Sequence, residues 1–375
     1  MLNFPATALP PEALTLRSEV RAFLDQHRAF LERPNSDFTT GYEPEFSRLL
    51  GARGWIGMTW PRAFGGAERS YLERYVVTEE LLAAGAPVAA HWIADRQTGP
   101  LLLRFGSPDQ QARFLPGVAA GESYFSIGMS EPGSGSDLAS VATRAEQRGN
   151  GFVINGTKLW STGAHRNHYL VALVRTGDAG PSRHEGLSQL IVDLRADDVE
   201  IRPIRNMGGA AEFNEIVFAD TQVPADRLVG TLGNGWQQVT SELAFERSGP
   251  ERFLSAFRVL VELVRIAQRE PTLVQRQLLG RLAAHFMTLR RMSVAVASLL
   301  TENQDVALEA ALVKELGNNF EKALPEAVRL AVASDCGGAL RTALNDTLLL
   351  APAFTLRGGT REILRGVIAR GLGLR

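Results

Sequence analysis

What most restricts the fold of this chain is the order in which its hydrophobic period changes. Up to about residue 120, apolar side chains recur at helical spacing, as at Leu16, Val20, Phe23 and Leu24, and again at Leu72, Tyr75, Val76 and Leu82. Between 120 and 225 short runs rich in β-branched and aromatic residues replace them, at 152–155, 169–174, 189–192 and 213–218. Turn residues part these runs, notably Gly149-Asn150-Gly151 and Asn155-Gly156, the latter with the signature of a two-residue hairpin. From Gly235 the helical period returns. Leu278, Leu282, Phe286, Leu289 and Val296 form one stripe, and Leu308, Leu312, Leu316 and Phe320 begin another. Long helices are expected at 236–269, 273–301, 306–335 and 360–370 with its lead-in. The expected class is α+β. Residues 1–120 form an N-terminal helical domain, 121–230 a small antiparallel barrel or sandwich, and 231–375 a helical bundle.

Several functions are disfavoured at once. A chain of 375 residues exceeds what one core supports, so more than one domain is expected. A net charge of −1, with acids interspersed among the arginines, argues against nucleic acid as the main partner. The single cysteine, Cys336, excludes an internal disulfide framework and a four-Cys zinc site. The N-terminal stretch lacks the pattern of a signal peptide, and no segment reaches the length of a membrane helix, so a cytoplasmic protein without membrane insertion is expected. The histidines, at 27, 91, 165, 168, 184 and 285, form no close metal pair with a carboxylate, and no metal is expected. No G-x-G-x-x-G, Walker or G-x-S-x-G pattern occurs.

Four segments could carry chemistry. Ser130–Asp137, SEPGSGSD, lets the backbone approach a ligand, with amide N–H groups and the hydroxyls of Ser130 and Ser136 as donors; it reads equally as a tight serine-capped loop. Asn155–Thr162, NGTKLWST, places Trp160 and Thr162 on one face of a strand, which suits a flat heteroaromatic ring or plain core. In Glu242–Glu251, ELAFERSGPE, Pro250 cannot donate to the carbonyl of residue 246, so the helix should bend beside Glu246. That glutamate is a candidate site or a solvated partner of Arg247. In Leu356–Arg365, LRGGTREILR, Gly358 and Gly359 precede the N-cap Thr360, a helix start that can accept a diphosphate and more often binds nothing.

In this order and spacing the segments resemble the acyl-CoA dehydrogenase family over nearly the whole chain. GWIGMTWPRAFGG, TEELLAAGAP, FGSPDQQARFLPGVAAGE, FNEIVFADTQVPADRLVG, GNGWQQV and the ending GGTREILRGVIARGLGL add to the match. The resemblance implies an N-terminal helical domain, a central antiparallel β-barrel and a C-terminal four-helix bundle, with FAD between barrel and bundle. Ile127, Met129, Ser130 and Ser136 would line the flavin and its ribityl chain. Trp160, Ser161 and Thr162 would lie against the isoalloxazine ring. Gly338, Thr360 and Glu362 would sit near the rest of the cofactor. Ser136 and Arg247 would touch the acyl-CoA substrate.

Two departures stand out. In many family members the catalytic carboxylate directly precedes the terminal Gly-Thr, and here that position is Gly358. A second class, which includes actinobacterial-type enzymes of sterol and branched-acid catabolism, places a glutamate before an arginine on the first bundle helix. Glu246-Arg247 matches it, so Glu246 is the expected base. An Arg-x-x-Phe-Gly stretch common in relatives is missing, and the later glutamine–glycine cofactor loop reads Ser334-Asp335-Cys336-Gly337-Gly338. Some relatives with such changes assemble from two different subunits.

The resemblance implies oxidation of an acyl-CoA to its trans-2-enoyl-CoA, with electrons passed to an electron-transfer flavoprotein, by a homo- or hetero-oligomer (dimer or tetramer). Burial under the acyl chain would raise the pKa of Glu246 toward neutrality. The rival readings are a non-catalytic partner subunit of a heteromeric dehydrogenase and an oxygen-using oxidase or monooxygenase on the same fold.

Overall fold

The computed structural model describes residues 2–178, 180–245, 247–332 and 337–374, with the side chains of 242–245 set aside as well. The helices are α1 (Pro11–Gln26), α2 (Pro44–Ala52), α3 (Tyr71–Ala83), α4 (Ala89–Ile93), α5 (Gly99–Phe105), α6 (Pro108–Ala119), α7 (Gly235–Phe245), α8 (Phe257–Ala267), α9 (Leu273–Thr301), α10 (Ala307–Ala331), α11 (Gly338–Phe354) and α12 (Arg361–Gly371). The strands are β1 (Phe125–Gly128), β2 (Arg144–Arg148), β3 (Gly151–Lys158), β4 (Tyr169–Arg175), β5 (Leu187–Asp193), β6 (Val199–Ile204) and β7 (Phe213–Pro224). Capping boxes start α3 (Ser70 with Glu73), α6 (Ser107 with Gln110) and α9 (Thr272 with Gln275), each satisfying two orphan amides. The chain divides into two compact units: residues 41–68 with 88–243, and residues 1–40 with 69–87 and 244–375.

The first unit is built on the sheet. Its strand order is β1-β4-β2-β3-β7-β6, with β5 paired to β4. The expected α+β class and central β-element hold, with two corrections. Among the described residues β1 and β6 end the path unpaired to one another, so the sheet is a curled half-barrel and not a closed one. It is also not purely antiparallel: β4 runs parallel to β1, with Ile127 opposite Val171, and meets β2 in parallel at Arg175. The physical reason lies in the strands. The run Leu170–Val174 is buried throughout and takes neighbours on several sides. By contrast, β6 keeps charge on its edge, where Arg202 pairs with Glu200 and Glu215. One face of the sheet packs Phe152, Ile154, Leu170, Ala172, Leu190, Ile216 and Phe218. Against the other lie Val239 of α7 and the half-buried Met129 and Trp236.

Asn155-Gly156 is not a hairpin turn. It lies inside β3, where the register to β7 shifts between Ile154 and Gly156. Gly156 has φ 145°, and a Cβ there would come 2.6 Å from Thr143 Oγ1. The glycine therefore serves a bulge that lets β3 bend past Thr143. The connection between β2 and β3 is the other predicted turn, with Gly149 at φ 57° and Arg148 opposite Gly151.

The second unit is helical. Ala13, Leu72, Tyr75 and Val76 of α1 and α3 pack with Val294 and Ala297 of α9. The bundle of α8, α9, α10 and α11 buries Val259, Leu263, Leu278, Leu282, Phe320, Leu324, Leu340 and Leu344. The expected bundle holds with a different parsing. The helix read at 236–269 is two, because α7 ends at 245, Pro250–Arg252 makes one tight turn, and α8 begins at 257. Pro250 forces Gly249 into the extended region at ψ 172°, so the helix stops instead of bending. The lead-in to the last helix is itself a helix, α11.

This unit buries an unusual amount of charge. Arg357 donates to Ser255 Oγ at 2.7 Å and to Glu321 Oε2 at 3.0 Å, and also pairs with Asp37. Its guanidinium lies 4.6 Å from the Phe38 ring centroid. Lys314, with no exposed surface, donates to the carbonyl of Gly359 at 2.7 Å. Glu315 accepts from Arg361 and Arg365. These contacts fix the turn Gly358–Gly359, whose φ values are 64° and 98°, at the mouth of α12.

Candidate active site

Two of the motifs meet on the sheet unit. β3 ends at Lys158, and the next residue, Leu159, donates its N–H to the carbonyl of Ser130 at 2.8 Å. Lys158 Nζ reaches Met129 O at 3.2 Å and Glu131 Oε1 at 2.7 Å. Glu131 also accepts from the amides of Ala142 at 2.7 Å and Thr143 at 3.0 Å. Burial pushes the Glu131 carboxyl up, but Lys158 and these amides outweigh it and hold it below the ordinary range. Burial brings Lys158 down to about 8, against the pull of Glu131.

Beyond Lys158 the chain leaves the strand, which corrects the expectation that Trp160 and Thr162 share a strand face. Trp160 sits at φ 64°, a left-handed conformation uncommon for a bulky residue and costing about 1–2 kcal/mol. The residue is 55% exposed, and its ring meets Phe213 edge-on. Ser161 is fixed from both sides by Asn214, which accepts its N–H through the backbone at 3.0 Å and donates Nδ2 to its carbonyl at 2.8 Å. Asn214 Oδ1 in turn contacts His165 Nδ1 at 2.8 Å. Thr162 O accepts from Ser126 Oγ at 2.7 Å, and Ser126 is held by Asn167 Nδ2 at 2.9 Å. Ile127 lies half-buried in β1.

The loop after Glu131 is stapled inside. Ser134 Oγ donates to Asp137 O at 2.8 Å, and Arg175 reaches the carbonyls of Ala139 and Val141. Ser134, not Ser136, is the structural serine; Ser136 is exposed. The amides of Gly133, Gly135, Ser136 and Asp137 meet no acceptor among the described residues. Nor does anything in the chain demand glycine at 133 or 135. Neither has a positive φ, and a Cβ on either would have nothing within 4 Å. The fully buried Ser161 Oγ has no hydrogen-bond partner among the described residues.

In the helical unit, Arg247 is buried and comes close to the Gly-Gly turn, since a Cβ on Gly359 would lie 3.7 Å from Arg247 Nη2. Thr360 caps α12 by accepting from Ile363 N, and Glu362 is exposed in its first turn. The backbone N–H of Glu362 and the hydroxyl of Thr360 hold the Glu362 carboxyl below its ordinary range. Gly338 opens α11. Glu246 and the stretch Ser334-Asp335-Cys336 lie outside the described residues. Among the described helices none is long and apolar enough to cross a membrane.

The sequence reading missed Glu131, Lys158, Ser126, Asn167 and Asn214, which hold the site without facing a ligand. A signal existed for three of them. Lys158 is the one charged residue of NGTKLWST, and Glu131 is the one glutamate of SEPGSGSD. Asn214 sits at an inward position of the alternation that also buries Ile216 and Phe218.

A loop with unclaimed amides joined to a segment that carries an exposed indole makes a surface for a flat ring system with an anionic tail. These features fit a flavin nucleotide. The chain matches the model of the acyl-CoA dehydrogenase N-terminal domain over residues 10–122 and that of the middle domain over 126–221. It belongs to the acyl-CoA dehydrogenase family and is an oxidoreductase of that type. It is 36% identical over 361 residues to acyl-CoA dehydrogenase IpdE1 of Mycobacterium tuberculosis, covering 93% of this chain and 90% of that protein. Isovaleryl-CoA dehydrogenase of Pongo abelii is 29% identical over 293 residues, covering 75% of this chain and 67% of the relative. Among solved structures, the Tcur3481-Tcur3483 steroid ACAD superposes with a TM-score of 0.87 at 28% identity, over 98% of this chain and 100% of that one. The ChsE4-ChsE5 complex from Mycobacterium tuberculosis gives 0.84 at 27% identity, over 98% and 99%.

Proposed function

We propose that the protein binds FAD and dehydrogenates the Cα–Cβ bond of an acyl-CoA, with electrons leaving to an electron-transfer flavoprotein. The observation that carries this reading is the joint between SEPGSGSD and LWST, where Leu159 N–H meets Ser130 O at 2.8 Å beside four unclaimed amides. Bound FAD would supply the acceptor for the β-hydride. The protein's residues do the rest. The amides of Gly133, Gly135, Ser136 and Asp137 donate to the cofactor, Met129, Ser130 and Thr162 flank its ring with the Trp160 indole, and the buried Ser161 backs that segment. Ile127 completes that wall from β1. Thr360, Glu362 and Gly338 serve the rest of the cofactor. Ser136 and Arg247 hold the thioester's CoA and acyl ends. Glu246 takes the α-proton. Backbone N–H groups near the Gly358–Gly359 turn, held by Lys314 and Arg357, polarise the thioester carbonyl.

The names of the relatives favour a sterol-derived or branched acyl group. Two matched structures are named as two-component assemblies, which supports a second reading of the assembly: a subunit that works beside a homologue.

Purified protein should release non-covalent FAD on denaturation, and the flavin should bleach with one member of an acyl-CoA panel. Glu246→Gln should leave FAD in place and slow bleaching at least about 10²-fold in stopped flow. Absence of flavin even after co-expression with a neighbouring homologue would refute the cofactor. Near-normal bleaching by the Gln variant would remove Glu246 as the base.

A further inference from the structure

We propose that Glu131 and Lys158 form a positioning pair that holds the ligand-facing loop 132–141 and the segment Trp160–Thr162 as one rigid surface.

The connectivity supports this. β1 and β3 are not neighbours in the sheet, since β4 and β2 stand between them. No strand ladder therefore fixes the exit of β1 against the exit of β3. That work falls to a few bonds. Leu159 N–H meets Ser130 O at 2.8 Å, and Lys158 Nζ meets Met129 O at 3.2 Å and Glu131 Oε1 at 2.7 Å. The lysine stem crosses under β1 at Gly128, where a Cβ would lie 3.2 Å from Lys158 Cγ. Glu131 closes the base of the loop by itself. It stands at the loop's first foot, and its carboxylate takes the N–H groups of the second foot, Ala142 and Thr143, at 2.7 and 3.0 Å. Removing the lysine leaves Leu159 N–H on Ser130 O and Ser126 Oγ on Thr162 O as the bonds from β1 and its exit to the segment that carries Trp160. Removing the carboxylate opens the base itself.

A stability role alone explains the pair poorly. Lys158 has no exposed surface and Glu131 very little. The cost of taking two such charges out of water usually offsets their attraction, and apolar replacements of equal volume are often neutral or stabilising. What an apolar pair could not do is donate to a specific carbonyl and accept two specific amides. The pair gives geometry, and the geometry it fixes lies between the exposed Trp160 and a loop whose amides at 133 and 135–137 meet no acceptor among the described residues.

The inference rests on the flavin reading for what the surface binds, but not for the rigidity itself. Lys158→Met, of similar length and uncharged, and the near-isosteric Glu131→Gln are compared with the wild type in two measurements. In the flavin-free protein, hydrogen exchange of the bonded amides of Glu131, Ser134, Leu159 and Ser161 should speed up at least about tenfold in either variant, while β4 and β5 exchange as before. In the holoprotein, the FAD dissociation constant should rise at least about tenfold, and the visible band of the remaining bound flavin should shift toward that of free FAD. Glu131→Gln guards against a Lys158→Met variant too unstable to purify. Uniformly faster exchange across the sheet, or unchanged local exchange with wild-type affinity and spectrum, would overturn the proposal. Should the wild type bind no FAD, the proposed function fails, and the exchange pattern still decides the positioning role.

Discussion

Replacing Arg357 with methionine removes one cation that serves three buried acceptors. Asp37 and Glu321 are almost wholly enclosed, with side-chain exposures of 6% and 0%, and both lose their cation, while Ser255 Oγ loses its donor. Breaking a buried pair by deleting one partner typically costs about 3–5 kcal/mol, because the remaining charge stays buried. The methionine keeps most of the apolar contact with Phe38 and Phe354, so little of the loss comes from packing. For a chain of 375 residues the unfolding entropy is about 0.8 kcal/mol per kelvin, so Tm should fall by roughly 4–6 °C in a calorimetric scan. Burial already raises the Glu321 pKa, with Arg357 opposing it. A raised carboxyl means that the fold favours its protonated form, so this group's contribution is full at acid pH and is lost as pH rises. Without Arg357 the rise grows, and the deficit should be largest at neutral pH and shrink on acidification. Adding Glu321→Gln should recover part of the loss by removing one stranded charge. A Tm within about 1 °C of the wild type, or a double variant no better than the single one, would refute the reasoning.

Gly133→Ala and Gly135→Ala meet open space and need no positive φ, so stability should stay within about 0.5 kcal/mol by urea unfolding while FAD affinity drops on titration. Gly156→Ala should cost about 1–3 kcal/mol, since its Cβ would press on Thr143 Oγ1 at 2.6 Å, and Thr143→Ser, which keeps every atom in that contact, should relieve none of it. His91 is buried against Ser47 Oγ at 2.8 Å, and burial holds its pKa at about 4. The unfolded chain takes up that proton near 6.5, so stability is full above that pH and falls as pH drops from 6.5 toward 4, by up to about 3 kcal/mol. His91→Gln should flatten that slope in a series of pH-jump denaturation curves.

The order of periods made the fold class legible because a 3.6-residue stripe such as Leu278–Val296 and a short β-branched run such as 169–174 are local signals. Strand pairing is not local. Nothing in Phe125–Gly128 announces a parallel partner at Tyr169, because the choice is made by burial of β4 on several sides. Asn155-Gly156 misled for a related reason: the same dipeptide suits a hairpin and a bulge, and only Thr143, contributed by a neighbouring segment, decides between them. Trp160 was legible as a candidate by type, but its left-handed backbone was not, since sequence favours glycine or asparagine there. The residues that hold the site, such as Asn214 and Lys158, were hidden because their partners lie tens of residues away.

The two compact units are not consecutive in the chain, and this has a consequence for biosynthesis. Segments 1–40 and 69–87 leave the ribosome early, yet the α9 residues that cover their apolar faces, Val294 and Ala297, follow about two hundred residues later. At about 5–20 residues per second, α1 and α3 wait on the order of ten to forty seconds with Leu72 and Val76 uncovered. Meanwhile the sheet unit, complete by residue 243, can fold behind them. Nascent chains of this protein are therefore exposed to holdase chaperones through the uncovered face of the α1–α3 pair, and a premature stop in α9 before Val294 leaves a folded sheet attached to that adhesive pair.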